Sequence, residues 1–264
     1  SILSDPCQDN VRTDPKRRPA PRFALWGDSH AEAIAPGLEK AAQAVGSSGY
    51  YFSKPNCAPL TDVSINTKTD TKMDGCLYYD RTVLRFILSH PAIDTVFLSA
   101  RWAWYTNGHY IEGPDAGKVT LRDALDATNQ VQQNKALVEL GLKRSIEALT
   151  KAGKRVVLVT TVPEVGYDVP GKFFVAYRTG QDINDLIAPT LDGYNKRNDS
   201  FLSSVQQLKA ENGLEVIDTW AILCGGQPRC DVVVDDKPIY RDDDHLSIIG
   251  AKMFTNTFVA YLKK

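Results

Sequence analysis

The stretch Phe23-Ala24-Leu25-Trp26-Gly27-Asp28-Ser29-His30 decides the fold class of this 264-residue chain. Its apolar first half predicts a buried strand of a parallel sheet, and Gly27 then permits a tight turn. Apolar residues recur after the turn at helical spacing, at Ile34, Leu38, Ala41 and Val45. Ser29 is therefore expected where a central strand gives way to a helix, at the edge of an α/β sheet where ligands bind.

The same serine has a purely structural interpretation. Ser29-His30-Ala31-Glu32 fits a capping box, in which the serine only closes the N-terminus of a helix. Caps of this kind are common, so the stretch alone leaves a helix cap and a nucleophile equally open.

A second segment, Arg241-Asp242-Asp243-Asp244-His245-Leu246-Ser247, favours the nucleophile. A catalytic serine needs an imidazole to take its proton and a carboxylate to hold that imidazole in the correct tautomer. Asp242 stands three residues before His245, on a loop that enters the last predicted helix, and can fold back onto its ring. The acidic run lacks the alternating acids, central glycine and final glutamate of a calcium loop. We therefore predict Ser29 as nucleophile, His245 as base and Asp242 as its orienting acid.

Buried strands and amphipathic helices alternate along the rest of the chain. This order predicts a three-layer α/β/α sandwich around a parallel, flavodoxin-like five-stranded sheet. After the first strand, the predicted strands are 50–52, 95–98, 156–159 and 214–217, and the longer helices are about 79–89, 131–152, 191–212 and the last segment from 248. We expect one domain over 22–264, and an extension or linker over the proline-rich 1–21.

Three connections invite functional interpretations. Arg101-Trp102-Ala103-Trp104-Tyr105 follows the third predicted strand, and its aromatic rings could stack on a sugar or simply pack the sheet edge. The segment 106–126 resembles a β-hairpin, with strands at 109–112 and 118–121. The connection 160–190 is long for a compact domain, so we expect it to contact an acceptor molecule.

Composition excludes some classes of protein. The net charge is −1, which gives no electrostatic reason to expect a nucleic-acid partner. The sequence contains no apolar run long enough to span a bilayer. It begins without an initiator methionine or a signal peptide, which is typical of an excised or processed chain.

The cysteines predict the redox compartment. Cys57 and Cys76 flank one polar loop, and Cys224 and Cys230 flank a short one, so each pair is predicted to form a disulfide in an oxidising compartment. Buried, inert thiols are the alternative. The spacing fits no common zinc site, and we predict no bound metal. Cys7 is left over, either free or paired outside this chain.

The two motifs together resemble the SGNH, or GDSL-type, hydrolase and acyltransferase superfamily. Gly27-Asp28-Ser29 matches its first block, Asp242 to His245 match its last, and Leu246, Ser247 and Gly250 continue the usual tail. More narrowly, the chain is similar to the periplasmic SGNH domain of acyltransferase-3-family O-antigen O-acetyltransferases of the Oaf type. The cues are Gly-Asp-Ser-His at 27–30, Ser53-Lys54-Pro55-Asn56-Cys57-Ala58-Pro59 and Leu98-Ser99-Ala100-Arg101-Trp102, within a resemblance that covers about 22–264.

The resemblance departs from the superfamily at the oxyanion hole. The glycine of the second block and the asparagine of the third have no clear match, and Arg101 and Trp102 stand where the third block is expected. The Ser29 backbone N–H, at a helix N-terminus, is a ready oxyanion donor. We predict that Ser29, Arg101 and Trp102 position the oxyanion or the substrate.

The resemblance implies that an acetyl group passes through Ser29 to a hydroxyl of a surface polysaccharide such as O-antigen. It implies no bound cofactor, a donor derived from acetyl-CoA through a covalently linked N-terminal transmembrane acyltransferase domain, and a periplasmic location for a monomeric domain. Two alternatives remain open at this point. One is a periplasmic carbohydrate O-acetyl esterase, and the other is a non-catalytic carbohydrate-binding module.

Overall fold

The computed structural model describes residues 20–66, 75–128 and 132–264. The strands are β1 Phe23–Gly27, β2 Gly49–Ser53, β3 Val63–Ile65, β4 Thr95–Ser99, β5 Leu121–Asp123, β6 Arg155–Val159, β7 Glu215–Ile217, β8 Val233–Val234 and β9 Lys237–Pro238. The helices are α1 Ser29–Val45, α2 Gly75–Ser89, α3 Trp102–Asn107, α4 Asn134–Lys151, α5 Val169–Thr179, α6 Ile183–Ile187, α7 Leu191–Asn212, α8 Thr219–Cys224, α9 Ile248–Lys252 and α10 Thr255–Leu262.

The main sheet confirms the predicted fold class. Its five strands run in the order β2-β1-β4-β6-β7, and every neighbouring pair is parallel. The chain first builds outward from β1 to β2 and then crosses back to β4, so the strand order reverses between β1 and β4. In doubly wound sheets this reversal opens a crevice at the carboxyl ends of the strands, where ligands bind. Ser29 lies directly after β1, at that crevice.

Successive side chains of the buried strands pack alternately into two hydrophobic cores, one on each face of the sheet. Leu25 and Phe97 face the core that α1 and α10 cover, whereas Trp26 and Leu98 face the core that α2, α4 and α7 cover. Because both faces are covered, β1 and β4 are apolar at successive positions rather than at every second one. This double burial fixes the strand ends that carry the site.

Three predicted elements differ from the structure. Segment 106–126 is no hairpin: α3 occupies its start, and β5 pairs antiparallel with β3 instead. The last predicted helix is divided into α9 and α10, and the connection 160–190 contains α5 and α6. Each error involves elements of only three to eleven residues or a helix break, for which periodicity gives a weak signal.

The two predicted disulfides are present, joining Cys57 to Cys76 and Cys224 to Cys230. Cys7 and most of the predicted extension, up to residue 19, lie outside the described residues. Nowhere in the described part of the chain does a helix combine the length and apolar character needed to cross a membrane.

Candidate active site

The turn between β1 and α1 presents Ser29 at the start of a helix. Asp28, not Ser29, caps that helix, because its Oδ1 accepts the His30 backbone N–H at 2.8 Å. The capping-box interpretation of Ser29 is therefore wrong. Gly27 is required for close packing, since a Cβ at this position would overlap the Ser99 carbonyl oxygen on β4.

Asp28 braces the turn against the neighbouring strand end. Its Oδ2 accepts the Arg101 backbone N–H at 3.0 Å and the Tyr105 hydroxyl at 3.1 Å. Burial, and then the Asp28 charge, raise the pKa of Tyr105 well above its ordinary value, so the phenol stays a donor. Asp28 thus ties the ends of β1 and β4 together across the crevice.

The structure brings the three predicted catalytic residues into one hydrogen-bonded chain. Ser29 Oγ lies 2.7 Å from His245 Nε2, and His245 Nδ1 lies 2.9 Å from Asp242 Oδ2. With a proton on Nδ1 donated to Asp242, Nε2 of the neutral ring accepts from the serine hydroxyl. Asp242 Oδ1 also accepts the backbone N–H groups of Asp244 and His245, which fixes the carboxylate beneath the ring.

A second carboxylate that the sequence did not single out also faces His245. Asp244 Oδ1 lies 2.7 Å from His245 Nδ1, although the hydrogen bond from the ring runs to Asp242. The Asp244 side chain is 2% exposed, against 40% for Asp242. Burial opposes its ionisation, but contacts with His245 and His30 and the charge of Arg101 hold the pKa of Asp244 well below its ordinary range.

These carboxylates control the charge of the imidazole. Desolvation by itself favours neutral His245, but the hydrogen bond to Asp242, the close contact with Asp244 and the negative charges of both outweigh it and raise the pKa of His245 to about 9. The imidazolium of the free protein is therefore stable at neutral pH. A base that must accept the serine proton gains its active form only as pH rises towards this value.

Arg101 holds the buried acid in place. Its Nη1 lies 2.6 Å from Asp244 Oδ2, and its Nε donates to Glu164 Oε1 at 2.6 Å. Glu164 Oε2 accepts in turn from Arg197 Nε at 2.7 Å. The Arg101 guanidinium also lies over the Tyr110 ring, 4.4 Å from its centroid. Buried charges of both signs thus link the catalytic loop to the segment after β6.

Backbone contacts fasten the same loop to that segment. The Val165 and Gly166 N–H groups donate to the Asp243 carbonyl at 2.9 and 3.2 Å. The Tyr240 hydroxyl donates to the Pro163 carbonyl at 3.0 Å, just before the loop. The position of His245 is consequently set by contacts distant in sequence.

One of the predicted positioning residues, Trp102, is placed differently from expectation. Trp102 is 0% exposed: its Nε1 donates to the Val159 carbonyl at 2.9 Å and its ring stacks on Phe201. The prediction that Trp102 positions a substrate is wrong, and so is a sugar-stacking platform at 101–105, because Trp104 and Tyr105 are buried too. The helical turn of α3 directs these rings into the core beneath the sheet edge.

The backbone N–H of Arg101 is committed to Asp28, and its guanidinium lies against Glu164 and Asp244. Its charge therefore acts on the catalytic loop. The prediction of a direct contact from Arg101 to substrate stays a prediction.

Two overlapping clusters in the described part of the chain bring together atoms of the kinds that ligate metals: Asp242, Asp243 and Asp244 form one, and His30, Asp244 and His245 form the other. Nitrogen and carboxylate atoms of His30, Asp244 and His245 lie within 4.8 Å of one another. However, the Arg101 guanidinium already places a positive charge 2.6 Å from Asp244. A cation there would be repelled at short range, so these clusters fit an ion-pair network better than a metal centre.

Comparisons with known proteins agree with this fold. The family model described as "SGNH domain (fused to AT3 domains)" matches residues 4–260. Among solved structures, the periplasmic domain of the Salmonella ser. Paratyphi A lipopolysaccharide acetyltransferase is similar, with TM-score 0.63 and 17% identity over 94% of this chain and 85% of that one. The acetyl xylan esterase AlAXEase matches with TM-score 0.50 and 12% identity, over 91% and 99%. No curated protein sequence matches.

The fold and the site geometry define the SGNH hydrolase and acyltransferase class. The family match covers nearly the whole chain, and the chain therefore belongs to the family of SGNH domains that are fused to AT3 domains. The structural matches, at their low identities, establish the shared fold.

Proposed function

We propose that this domain is an O-acetyltransferase that carries an acetyl group on Ser29 and transfers it to a hydroxyl of a bacterial surface polysaccharide such as O-antigen. The observation that carries the proposal is the 2.7 Å contact between Ser29 Oγ and His245 Nε2, at the crevice of the sheet. Membership of a family fused to AT3 domains, and the fold shared with a lipopolysaccharide acetyltransferase domain, support transfer.

The first half-reaction forms an acyl-enzyme. Ser29 Oγ attacks the carbonyl carbon of the acetyl donor while its proton passes to His245 Nε2. The tetrahedral intermediate collapses, the bond to the leaving group breaks, and His245 returns the proton to that group. The acetyl group is then held as an ester on Ser29.

The second half-reaction repeats these steps with the acceptor. A sugar hydroxyl gives its proton to His245 and attacks the Ser29 ester, and collapse of the intermediate returns the proton to Ser29 Oγ. Asp242 holds the imidazole in the required tautomer and stabilises the imidazolium in both halves. The Ser29 N–H, at the N-terminus of α1, is our proposed oxyanion donor, because helix N-termini stabilise negative charge.

The family also suggests the setting of the reaction. We propose a covalently linked N-terminal AT3 membrane domain that delivers acetyl groups derived from acetyl-CoA, so that this domain needs no bound cofactor. The domain would then work in the periplasm, as a monomer on a polysaccharide acceptor. Two disulfides among the described residues agree with an oxidising compartment.

The test is a reaction of the domain with p-nitrophenyl acetate and an O-polysaccharide oligosaccharide, followed by mass spectrometry. Acetylated glycan and free acetate are both measured, for the wild type and for Ser29→Ala. We expect acetylated glycan that disappears in Ser29→Ala. Acetate release alone, equally dependent on Ser29, would instead identify an esterase.

Glycan binding without any Ser29-dependent product, in the domain and in the full-length protein, would identify a non-catalytic binding module.

A further inference from the structure

A cavity of about 600 Å³ opens beside the segment that follows β6, among α3, α6 and α7. We propose that it binds a neutral sugar unit of the acceptor glycan, adjacent along the polymer to the unit that is acetylated. The inference rests on the proposed function and names a substrate subsite for it. The cavity falls in the size range of small-molecule sites.

The polar lining is suited to hydroxyl groups. Asn107 and Asn198 donate their amide N–H groups to the Arg197 and Tyr194 carbonyls, and His109 Nδ1 contacts the Tyr110 carbonyl at 2.7 Å. Each side chain thereby uses one N–H donor in a hydrogen bond to the backbone. Each retains an acceptor atom, which is the amide oxygen in the asparagines and the other ring nitrogen in His109.

Asn198 gives the sharpest indication of a ligand. The residue lines the cavity and is 2% exposed, yet its buried Oδ1 has no hydrogen-bond partner among the described residues. A buried carbonyl oxygen without a donor costs free energy, and a sugar hydroxyl would supply that donor. Two cationic residues line the cavity: Arg197 is paired with Glu164 and Lys196 is exposed to solvent, so neither offers a buried, unpaired charge to an anionic sugar.

The apolar lining is suited to the C–H faces of a sugar ring. Tyr167 is 51% exposed at the cavity, and Ile111 and Leu186 are large exposed apolar residues beside it. An amphipathic ring with a polar tip can stack on a sugar and hydrogen-bond to it at once. A pyranose ring has both apolar C–H faces and hydroxyl groups. The cavity offers an apolar surface for the former and hydrogen-bond acceptors for the latter.

The cavity shares a wall with the active site. Glu164 lines it and pairs with Arg101, which pairs with Asp244 beside His245. Val165 lines it too, and donates its N–H to the Asp243 carbonyl. A polysaccharide bound in the cavity would therefore run along the edge of the sheet that presents Ser29.

The test measures binding separately from chemistry. Backbone amide NMR spectra of Ser29→Ala are titrated with the methyl α-glycosides of glucose, galactose, mannose and rhamnose. We expect saturable shifts at the amides of Asn107, His109, Tyr167 and Asn198 with at least one glycoside. No saturable shift at these amides with any of the four would overturn the proposal.

Matched aromatic variants sharpen the test. In the Ser29→Ala background, Tyr167→Ala is expected to weaken the glycoside affinity by about fivefold or more. Tyr177→Ala, which removes an aromatic that is 79% exposed on α5 and does not line the cavity, is expected to leave it unchanged. Equal affinities in the two variants would contradict the proposed stacking surface.

The failures of the two proposals are distinguishable. Ser29-dependent acetyl transfer without glycoside binding in the cavity would contradict only the proposed sugar subsite. Glycoside binding in the cavity without any Ser29-dependent product would support the glycan site and contradict the proposed acetyltransferase function.

Discussion

The turn that carries Ser29 and the loop that carries His245 are held in place by different forces. The turn is fixed by a tight backbone approach at Gly27 and by hydrogen bonds from backbone and phenol groups to Asp28. The loop is fixed by a network of full charges, in which Arg101 and Asp244 are the buried centre.

Because of this difference, we expect damage to the turn and damage to the loop to have different consequences. Damage to the turn should lower the stability of the fold and also displace the nucleophile, Ser29. Damage to the loop should chiefly alter the charge and orientation of His245, because the loop carboxylates contact the imidazole directly. Four substitutions, in order of decreasing expected effect, test this contrast.

The largest effect is expected from Asp242→Asn. The amide cannot hold the imidazole in the productive tautomer, so the rate should fall about 10⁴-fold, as in other serine triads. Initial rates of p-nitrophenyl acetate hydrolysis measure this, and Asp243→Asn is the control, with the same charge change on the same loop. Equal losses in the two variants would contradict the assignment of Asp242.

Gly27→Ala should cost about 3 kcal/mol of unfolding free energy, because its Cβ must displace the β4 backbone. Gly46→Ala is the control: its Cβ would meet open space, and only the left-handed backbone conformation is penalised, by about 1 kcal/mol. Urea denaturation measures both. A smaller loss for Gly27→Ala than for Gly46→Ala would contradict the close-packed turn.

Asp244→Asn should move the pH dependence of the reaction. Protonated His245 cannot accept the serine proton, so kcat/KM of the wild type should rise with pH towards the His245 pKa of about 9. Removing the Asp244 charge lowers that pKa, and the rising limb should shift to lower pH. The profile is measured with p-nitrophenyl acetate from pH 5 to 10, after subtracting the Ser29→Ala background.

The exposed Asp192→Asn on α7 is the control for this profile, with an unchanged limb expected. An unmoved limb in Asp244→Asn, or one at higher pH, would show that Asp244 does not set the charge of His245.

Tyr105→Phe should have the smallest effect. It removes one hydrogen bond to the Asp28 carboxylate and leaves those from Arg101 and His30, so the unfolding free energy should fall by about 1.5 kcal/mol. Thermal and urea unfolding measure the change, with the exposed Tyr177→Phe as control. A loss of stability no greater than that of the control would show that the Tyr105 hydroxyl does not help Asp28 to stabilise the turn.

The same contrast explains what the sequence could predict. The parallel sheet was predictable from short apolar runs that alternate with amphipathic helices, and Ser29, Asp242 and His245 were predictable because each belongs to a short local motif. Their mutual distances then follow from the topology, which brings the start of α1 and the loop before α9 together.

The charge network could not be predicted in the same way. Asp244 and Glu164 acquire their roles from Arg101, which is distant from both in sequence, and an acidic residue in a loop is by default a solvated one. Trp102 was mispredicted for a related reason. The strand-end position was right, but the helical turn of α3, which decides whether the ring faces solvent or core, is too short for periodicity to reveal.

The most direct test of the central claim is to trap the acyl-enzyme. The domain is mixed briefly with p-nitrophenyl acetate, quenched in acid and analysed by intact-protein and peptide mass spectrometry. We predict one added acetyl group on the peptide that contains Ser29, absent in Ser29→Ala and formed much more slowly in His245→Ala. Acetylation that persists in Ser29→Ala at the same rate, or none on the Ser29 peptide while ester is consumed, would contradict the account.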